Sequence, residues 1–299
     1  MSLLDELKAK YPLTISQKEV DEFVAGLKAK QQEYYNNAAV QQTIFSCIDL
    51  TTLKQTDSKK SVTAFVEKVN QFAKDYPMYT NVGGICVYPN FSEIYKSTLK
   101  VAGVNKAVVA GGFPSSQTFK EIKVLESKMA VEAGATEVDI VIPVGEMLGG
   151  NVEQVFDEVK SVKAVLPNNH LKVILETGVL TNIETIWYAS VAAMEAGADF
   201  IKTSTGKEQQ GDMQTAAYVM CSAIKAYREK SGRNVGFKPA GGIRTAFDAT
   251  LFYLIVETLL GKEQMKAELF RIGASSLANS SLSRMETLRL GKETEVKYF

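Results

Sequence analysis

The sequence predicts a (β/α)8 barrel preceded by a helical extension, and three observations carry the prediction. After residue 42, short apolar runs alternate eight times with longer segments of helical spacing. Charged residues recur at the ends of those runs, just before glycine turns, where a parallel barrel gathers its working groups. The chain of 299 residues suits one barrel of about 250 residues with an addition. An open doubly wound sheet is the alternative. It fits less well, because no Gly-x-Gly-x-x-Gly fingerprint follows the first run.

Taken in order, residues 1–42 read as the extension. Ser16 to Glu19 forms a capping-box pattern before Val20, Phe23, Val24 and Leu27, which follow helical spacing. A helical lid over the barrel floor or an oligomer contact is expected, with a partner-binding helix as the alternative. The barrel is expected over 43–281. Its strands are placed at Thr43–Ile48, Gly84–Val87, Lys106–Ala110, Val138–Ile142, Leu171–Glu176, Phe200–Thr203, Val235–Lys238 and Phe270–Ile272. Helical patterns include Ser61–Lys74, Phe119–Ala133, Val152–Val165, Ile183–Ala196, Gln214–Lys230 and Ala246–Leu260. Residues 282–299 are charged and read as a partly mobile tail.

Bulk properties narrow the function. Lys+Arg and Asp+Glu both number 34, which argues against nucleic acid or an anionic membrane as the main partner. Hydrophobic content of 45% supports a sizeable core, yet no apolar run is long enough to span a membrane. Three scattered cysteines, Cys47, Cys86 and Cys221, give no disulfide framework and no zinc motif, so a reducing cytoplasm is the simplest setting. His170 is the one histidine, which excludes a multi-histidine metal centre, and it reads as a surface turn residue.

The strand ends supply the chemistry. Lys202 sits within Asp199–Phe200–Ile201–Lys202–Thr203, and Lys238 ends the similar run before Pro239–Ala240–Gly241–Gly242. A lysine inside a short apolar strand is costly unless paired, neutralised or used. Lys202 is the candidate nucleophile. An amine attacks a carbonyl only when unprotonated, and burial plus a second cation, Lys238, would both favour the free base. Asp139, in Glu137–Val138–Asp139, is the candidate general acid/base. A buried Lys202–Asp139 ion pair is the structural alternative, but it leaves Lys238 unexplained. Lys172 competes for the imine role, although Glu176 further along its strand would neutralise it. Asp49, Thr51 and Cys86 end the first two strands, and Cys86 also reads as a small buried hydrophobe. Thr203 and Thr205 follow Lys202. Three turns rich in exposed backbone then suggest a phosphate cup: Gly206 with Lys207, Gly241 and Gly242 with Arg244, and Gly273 with Ser275 and Ser276.

At these residues the sequence resembles the deoxyribose-phosphate aldolase family of class I aldolases. The resemblance spans about residues 43–282. Its segments are Asp49–Leu53, Ile85–Pro89, Gly112–Pro114, Glu137–Asp139, Glu176–Gly178, Ala196–Lys207, Val235–Thr245 and Arg271–Ser276. It implies reversible cleavage of 2-deoxy-D-ribose 5-phosphate to D-glyceraldehyde 3-phosphate and acetaldehyde. Lys202 would form the Schiff base, Asp139 and Lys238 would handle protons, and Asp49 would orient Lys238 or a substrate hydroxyl. The glycine turns with Lys207, Arg244, Ser275 and Ser276 would hold the phosphate. No metal or other cofactor is implied, because the iminium withdraws the electrons. A homo-oligomer, most simply a dimer, is the expected assembly. The extension is longer than in short bacterial members. Some members end in a tyrosine assigned to the active site, whereas here Tyr298 is followed by Phe299. Two other readings stay open on the residues alone: a different phosphosugar aldolase or transaldolase-like barrel, and a non-catalytic barrel that binds a sugar phosphate.

Overall fold

Asn37 decides where the barrel begins. Its side chain accepts the amide protons of Ala39 (3.0 Å) and Val40 (3.3 Å) and so caps a helix. In the computed structural model, which describes residues 1–299, that helix runs Ala38–Ser46. The strand expected at Thr43–Ile48 is therefore mostly helix, and the first strand starts at Ile48. Val40, Ile44 and Phe45 explain this: they are buried on one helical face. The boundary set at 42/43 falls inside the helix.

Four helices form the extension: α1 (Leu3–Lys10), α2 (Gln17–Lys28), α3 (Gln31–Tyr35) and α4 (Ala38–Ser46). The barrel follows as β1 (Ile48–Thr51), α5 (Lys59–Asp75), β2 (Gly84–Val87), α6 (Ser92–Thr98), β3 (Asn105–Ala110), α7 (Lys120–Ala133) and β4 (Glu137–Val141). It continues with α8 (Val144–Leu148), α9 (Val152–Ala164), β5 (His170–Ile174), α10 (Thr177–Leu180), α11 (Ile183–Glu195) and β6 (Phe200–Lys202). Then come α12 (Met213–Ser231), β7 (Gly236–Lys238), α13 (Ala246–Leu260), β8 (Ile272–Ala274) and α14 (Leu277–Leu290). All strands are parallel, in the order β7-β6-β5-β4-β3-β2-β1-β8. Bridges Phe237↔Phe270 and Ala240↔Gly273 close β8 onto β7, completing a (β/α)8 barrel.

The extension is a strap on the outside of the barrel rather than a lid over the barrel floor, the first of the two expected placements. Ser16 caps α2 through the predicted box with Glu19, and Val20, Val24 and Leu27 are buried. That face packs on α12 and α13, and α1 packs on α9 and α11. The cause lies in the helices beneath. α13 runs Leu251–Phe252–Tyr253–Leu254–Ile255–Val256 with every one of these residues buried. A helix apolar all round must be covered on both sides.

The segment 282–299 is not a free tail. α14 runs through the 281/282 boundary, and the residues after it fold back along its side. Asn279 accepts the amide protons of Tyr298 and Phe299 (2.8 Å each) and donates to the Phe299 carbonyl (2.9 Å). The Phe299 ring packs against Phe72 at 5.6 Å and Phe45 at 6.3 Å, contacts worth about 0.5–1.5 kcal/mol each. Tyr298 donates to Asp75 (2.8 Å) at the end of α5, in the outer helical layer and apart from the barrel mouth. No helix is long and apolar enough to cross a membrane.

Candidate active site

Strand alternation and parallel register turn one set of side chains into the barrel. Asp139 lies opposite Lys172, Lys172 opposite Phe200, and Lys202 opposite Lys238. Asp49 lies opposite Gly84 on one side and Gly273 on the other. Gly84 must be bare there: a Cβ would sit 2.5 Å from an Asp49 oxygen and 2.8 Å from the Arg271 guanidinium. Gly236 leaves the same room for the Phe200 ring.

The buried charges form a closed ring of alternating sign. Lys172 donates to Glu137 (2.5 Å) and to Asp139 Oδ1 (3.1 Å). Arg271 grips Glu137 with both terminal nitrogens (2.9 and 3.2 Å) and also donates to Asp49. Lys238 bridges Asp49 and Asp139 Oδ2, the latter at 2.8 Å. Lys202 stands outside the ring and donates to the same Asp139 oxygen at 2.9 Å. Four cations thus meet three carboxylates, and Lys202 is the odd one.

This arrangement separates the lysines electrostatically. Burial disfavours charge on both Lys202 and Lys238. Lys238 lies between two carboxylates, which carry its pKa above the usual lysine range. Lys202 shares one carboxylate with Lys172 and Lys238, so burial and the nearby Lys238 charge leave its pKa lowered. Burial pushes Asp139 up, but Lys172, Lys202 and Lys238 outweigh it and hold the carboxyl well below the usual range. Lys172 is buried too, yet Asp139 and Glu137 raise its pKa, so it is a poor nucleophile. Its partners are these two, not Glu176 as expected from the sequence.

A cavity of about 300 Å³ opens above the ring at the carboxyl ends of the strands. Lys202 lines it, whereas Lys172 and Lys238 have no exposed surface. Thr51, Thr205, Gly206, Lys207, Gly241, Gly242, Arg244, Gly273, Ser275 and Ser276 also line it. The amides of Gly206, Gly241, Gly242, Ser275 and Ser276 have no acceptor within the protein, and the Arg244 guanidinium has no partner. Backbone donors, two serine hydroxyls and a free guanidinium on one wall suit an anion.

Four expected contact residues lie elsewhere. Asp49 and Lys172 are in the ring beneath. The Thr203 hydroxyl donates to the Ala240 carbonyl (3.0 Å) and accepts its amide (2.9 Å), which fixes the turn before Gly241. Cys86 is buried with Leu53, Ala107 and Val109, and burial pushes its thiol up to about 11. His170 is exposed at the start of β5, 3.4 Å from Glu137. Sequence reasoning assigned no role to Glu137 or Arg271. Glu137 was legible, being two residues from Asp139 and so on the same face of β4. Arg271 carried the signal of the strand lysines, a cation inside the short run Phe270–Ile272, and stands just before β8. No group of three or more His, Cys, Asp and Glu side chains is placed to hold a metal ion.

Comparison with known proteins agrees with this geometry. The family model described as DeoC/LacD family aldolase matches residues 43–281. The human deoxyribose-phosphate aldolase is 41% identical over 240 residues, 77% of this chain and 76% of its own. The bovine enzyme of that name is 41% identical over 242 residues, 78% of this chain and 76% of its own. A Caenorhabditis elegans relative, 39% identical, covers 93% of this chain and 95% of its own, so it matches the extension as well. Among solved structures, a tetrameric deoxyribose phosphate aldolase from Aeropyrum pernix superposes with a TM-score of 0.64 at 26% identity. That match covers 92% of this chain and 99% of the other. The match of the family model across the whole barrel, with relatives this similar, shows that the chain belongs to the DeoC/LacD family of aldolases.

Proposed function

We propose that the protein is a class I, metal-independent deoxyribose-phosphate aldolase, which cleaves 2-deoxy-D-ribose 5-phosphate to D-glyceraldehyde 3-phosphate and acetaldehyde. The observation that carries this reading is the surplus cation: Lys202 alone of the buried lysines reaches the cavity, and losing its proton balances the cluster. The free amine of Lys202 adds to C1 of the open-chain sugar, and loss of water gives an iminium. That iminium restores the excess positive charge. The excess is relieved when the C2–C3 bonding pair moves into a neutral enamine, so the site favours the electron flow the reaction needs. Asp139, hydrogen-bonded to the reacting nitrogen, takes and returns protons as water leaves and as the C3 hydroxyl becomes the aldehyde of glyceraldehyde 3-phosphate. The enamine is protonated at C2, and water releases acetaldehyde and restores the amine. Lys238, oriented by Asp49, keeps Lys202 unprotonated and passes protons through Asp139. Gly206, Lys207, Gly241, Gly242, Arg244, Ser275 and Ser276 hold the phosphate.

Three free, buried cysteines support a cytoplasmic setting. An exposed apolar stripe on α7, Ile122, Leu125 and Met129, supports a homodimer. The test of the activity is release of acetaldehyde from 2-deoxyribose 5-phosphate in a strong chelator, with acetaldehyde and dihydroxyacetone compared as donors in reverse. Turnover in chelator and preference for acetaldehyde are expected. Activity that vanishes in chelator and returns with a divalent ion, or a preference for dihydroxyacetone, would overturn the reading.

A further inference from the structure

Glu176 sits where a glycine would be easier. Leu175 donates its amide to the Lys202 carbonyl and Thr177 donates to the Thr203 carbonyl, both at 2.9 Å. The chain is pinned to β6 on either side, and Glu176 between them takes the left-handed conformation, φ 59° and ψ 58°. A residue with a Cβ pays for that conformation and glycine does not. The side chain is 2% exposed and forms no ion pair with any cation, although burying a lone carboxylate is costly. It does not cap the short helix α10 that it precedes, nor does it neutralise Lys172. Both carboxylate oxygens instead face one donor, the amide of Thr205, at 3.2 and 3.4 Å.

Thr205 lines the catalytic cavity, and its hydroxyl accepts the Lys207 amide at 3.0 Å. The Lys207 ammonium reaches across the mouth to the Leu53 carbonyl at 2.7 Å. A single chain of hydrogen bonds therefore runs from Glu176 through the Thr205–Gly206–Lys207 turn to the loop after β1. Gly206, at φ 78°, is the pliant point within it. Two local costs, a strained backbone and an unpaired buried carboxylate, fall on one residue that touches no cavity surface. Such costs collect where a site has to be held in shape.

We propose that Glu176 is a positioning residue of the phosphate wall. Its carboxylate fixes the Thr205 amide, and through it the turn that presents the Gly206 amide and Lys207 to the substrate phosphate. This rests on the aldolase reading above. Both acceptor oxygens leave the turn without a carboxylate when Glu176 is replaced by glycine, while the backbone is relaxed. Replacement by glutamine keeps a neutral acceptor at the same reach.

The experiment compares Glu176→Gly and Glu176→Gln with the wild type on 2-deoxyribose 5-phosphate and on unphosphorylated 2-deoxyribose. Melting temperature is measured alongside, with and without inorganic phosphate. In Glu176→Gly, KM for the phosphorylated sugar is expected to rise about tenfold or more, the scale of a lost charge-assisted hydrogen bond. Its kcat and its KM for the free sugar stay near wild type, its melting temperature does not fall, and phosphate raises it less than in the wild type. Glu176→Gln recovers most of the KM. An unchanged KM, an equal loss on both sugars, or a melting temperature that drops with activity and is not restored in Glu176→Gln would overturn the proposal. A wild type inactive on the sugar phosphate would overturn the aldolase reading instead, and the phosphate-dependent melting would still decide the role of Glu176.

Discussion

Lys238→Met removes the cation that shares Asp139 with Lys202, the proposed nucleophile. The two ammonium groups hydrogen-bond to one oxygen at 2.9 and 2.8 Å. They are thus no more than about 6 Å apart, and at an effective dielectric of about 20 their repulsion is ~3 kcal/mol. Losing that repulsion favours the charged form of Lys202 and cuts the free amine at neutral pH about a hundredfold, since ~1.4 kcal/mol is a factor of ten. The second consequence has the same sign, because Asp139 Oδ2 is left to Lys202 alone. The assay is the pH–rate profile of kcat/KM for the variant beside the wild type. The variant should be nearly inactive at neutral pH and recover in alkali, where Lys202 loses its proton without help. Recovery should be partial if Lys238 also passes protons, as proposed above. A uniform drop with an unchanged profile shape would refute the charge-tuning argument and leave Lys238 with proton transfer or positioning only.

Arg244→Ala and Ser275→Ala should raise KM for 2-deoxyribose 5-phosphate by roughly tenfold while leaving that for free deoxyribose nearly unchanged, because a phosphate contact binds ground and transition states alike. Equal effects on the two sugars would remove these residues from the phosphate wall. Lys172 and Arg271 hold the Glu137 carboxyl well below the usual range against the opposing effect of burial, so its contribution is present above the unfolded carboxylate pKa of about 4.3 and lost as pH falls further. Glu137→Gln should therefore destabilise the protein by about 3–5 kcal/mol at neutral pH, the cost of breaking a buried pair. The gap between variant and wild type should narrow on acidification, and denaturant unfolding at a series of pH values reads it. A gap independent of pH would mean that packing, not charge, is what Glu137 contributes.

The barrel was legible because eight apolar runs at parallel-strand length leave few other architectures. The buried strand lysines were legible because a cation in a three-residue strand such as Phe200–Lys202 has no ordinary reason to be there. The first strand was misplaced because Thr43–Phe45 suits either period over so short a window, and the cap from Asn37 decides between them. The last residues read as a loose tail because their charges are visible in sequence while their clamp is not. Asn279 lies 19 and 20 positions before the residues it clamps, and the Phe45–Phe72 pair comes from the far end of the chain. Arg271 was missed for the same reason: it is a core residue only because Asp49 and Glu137, 222 and 134 positions away, converge on it. Alternation shows which side of a strand a charge faces; it does not show which partner waits there.

Lys202, and not its deeper neighbours, is the proposed nucleophile. The direct measurement is borohydride reduction of the protein in the presence of 2-deoxyribose 5-phosphate or acetaldehyde, followed by mass mapping of the modified peptide. A two-carbon adduct on Lys202 is expected with acetaldehyde, abolished in Lys202→Arg and retained in Lys172→Met. An adduct on Lys172 or Lys238, or none at all in an active enzyme, would contradict it.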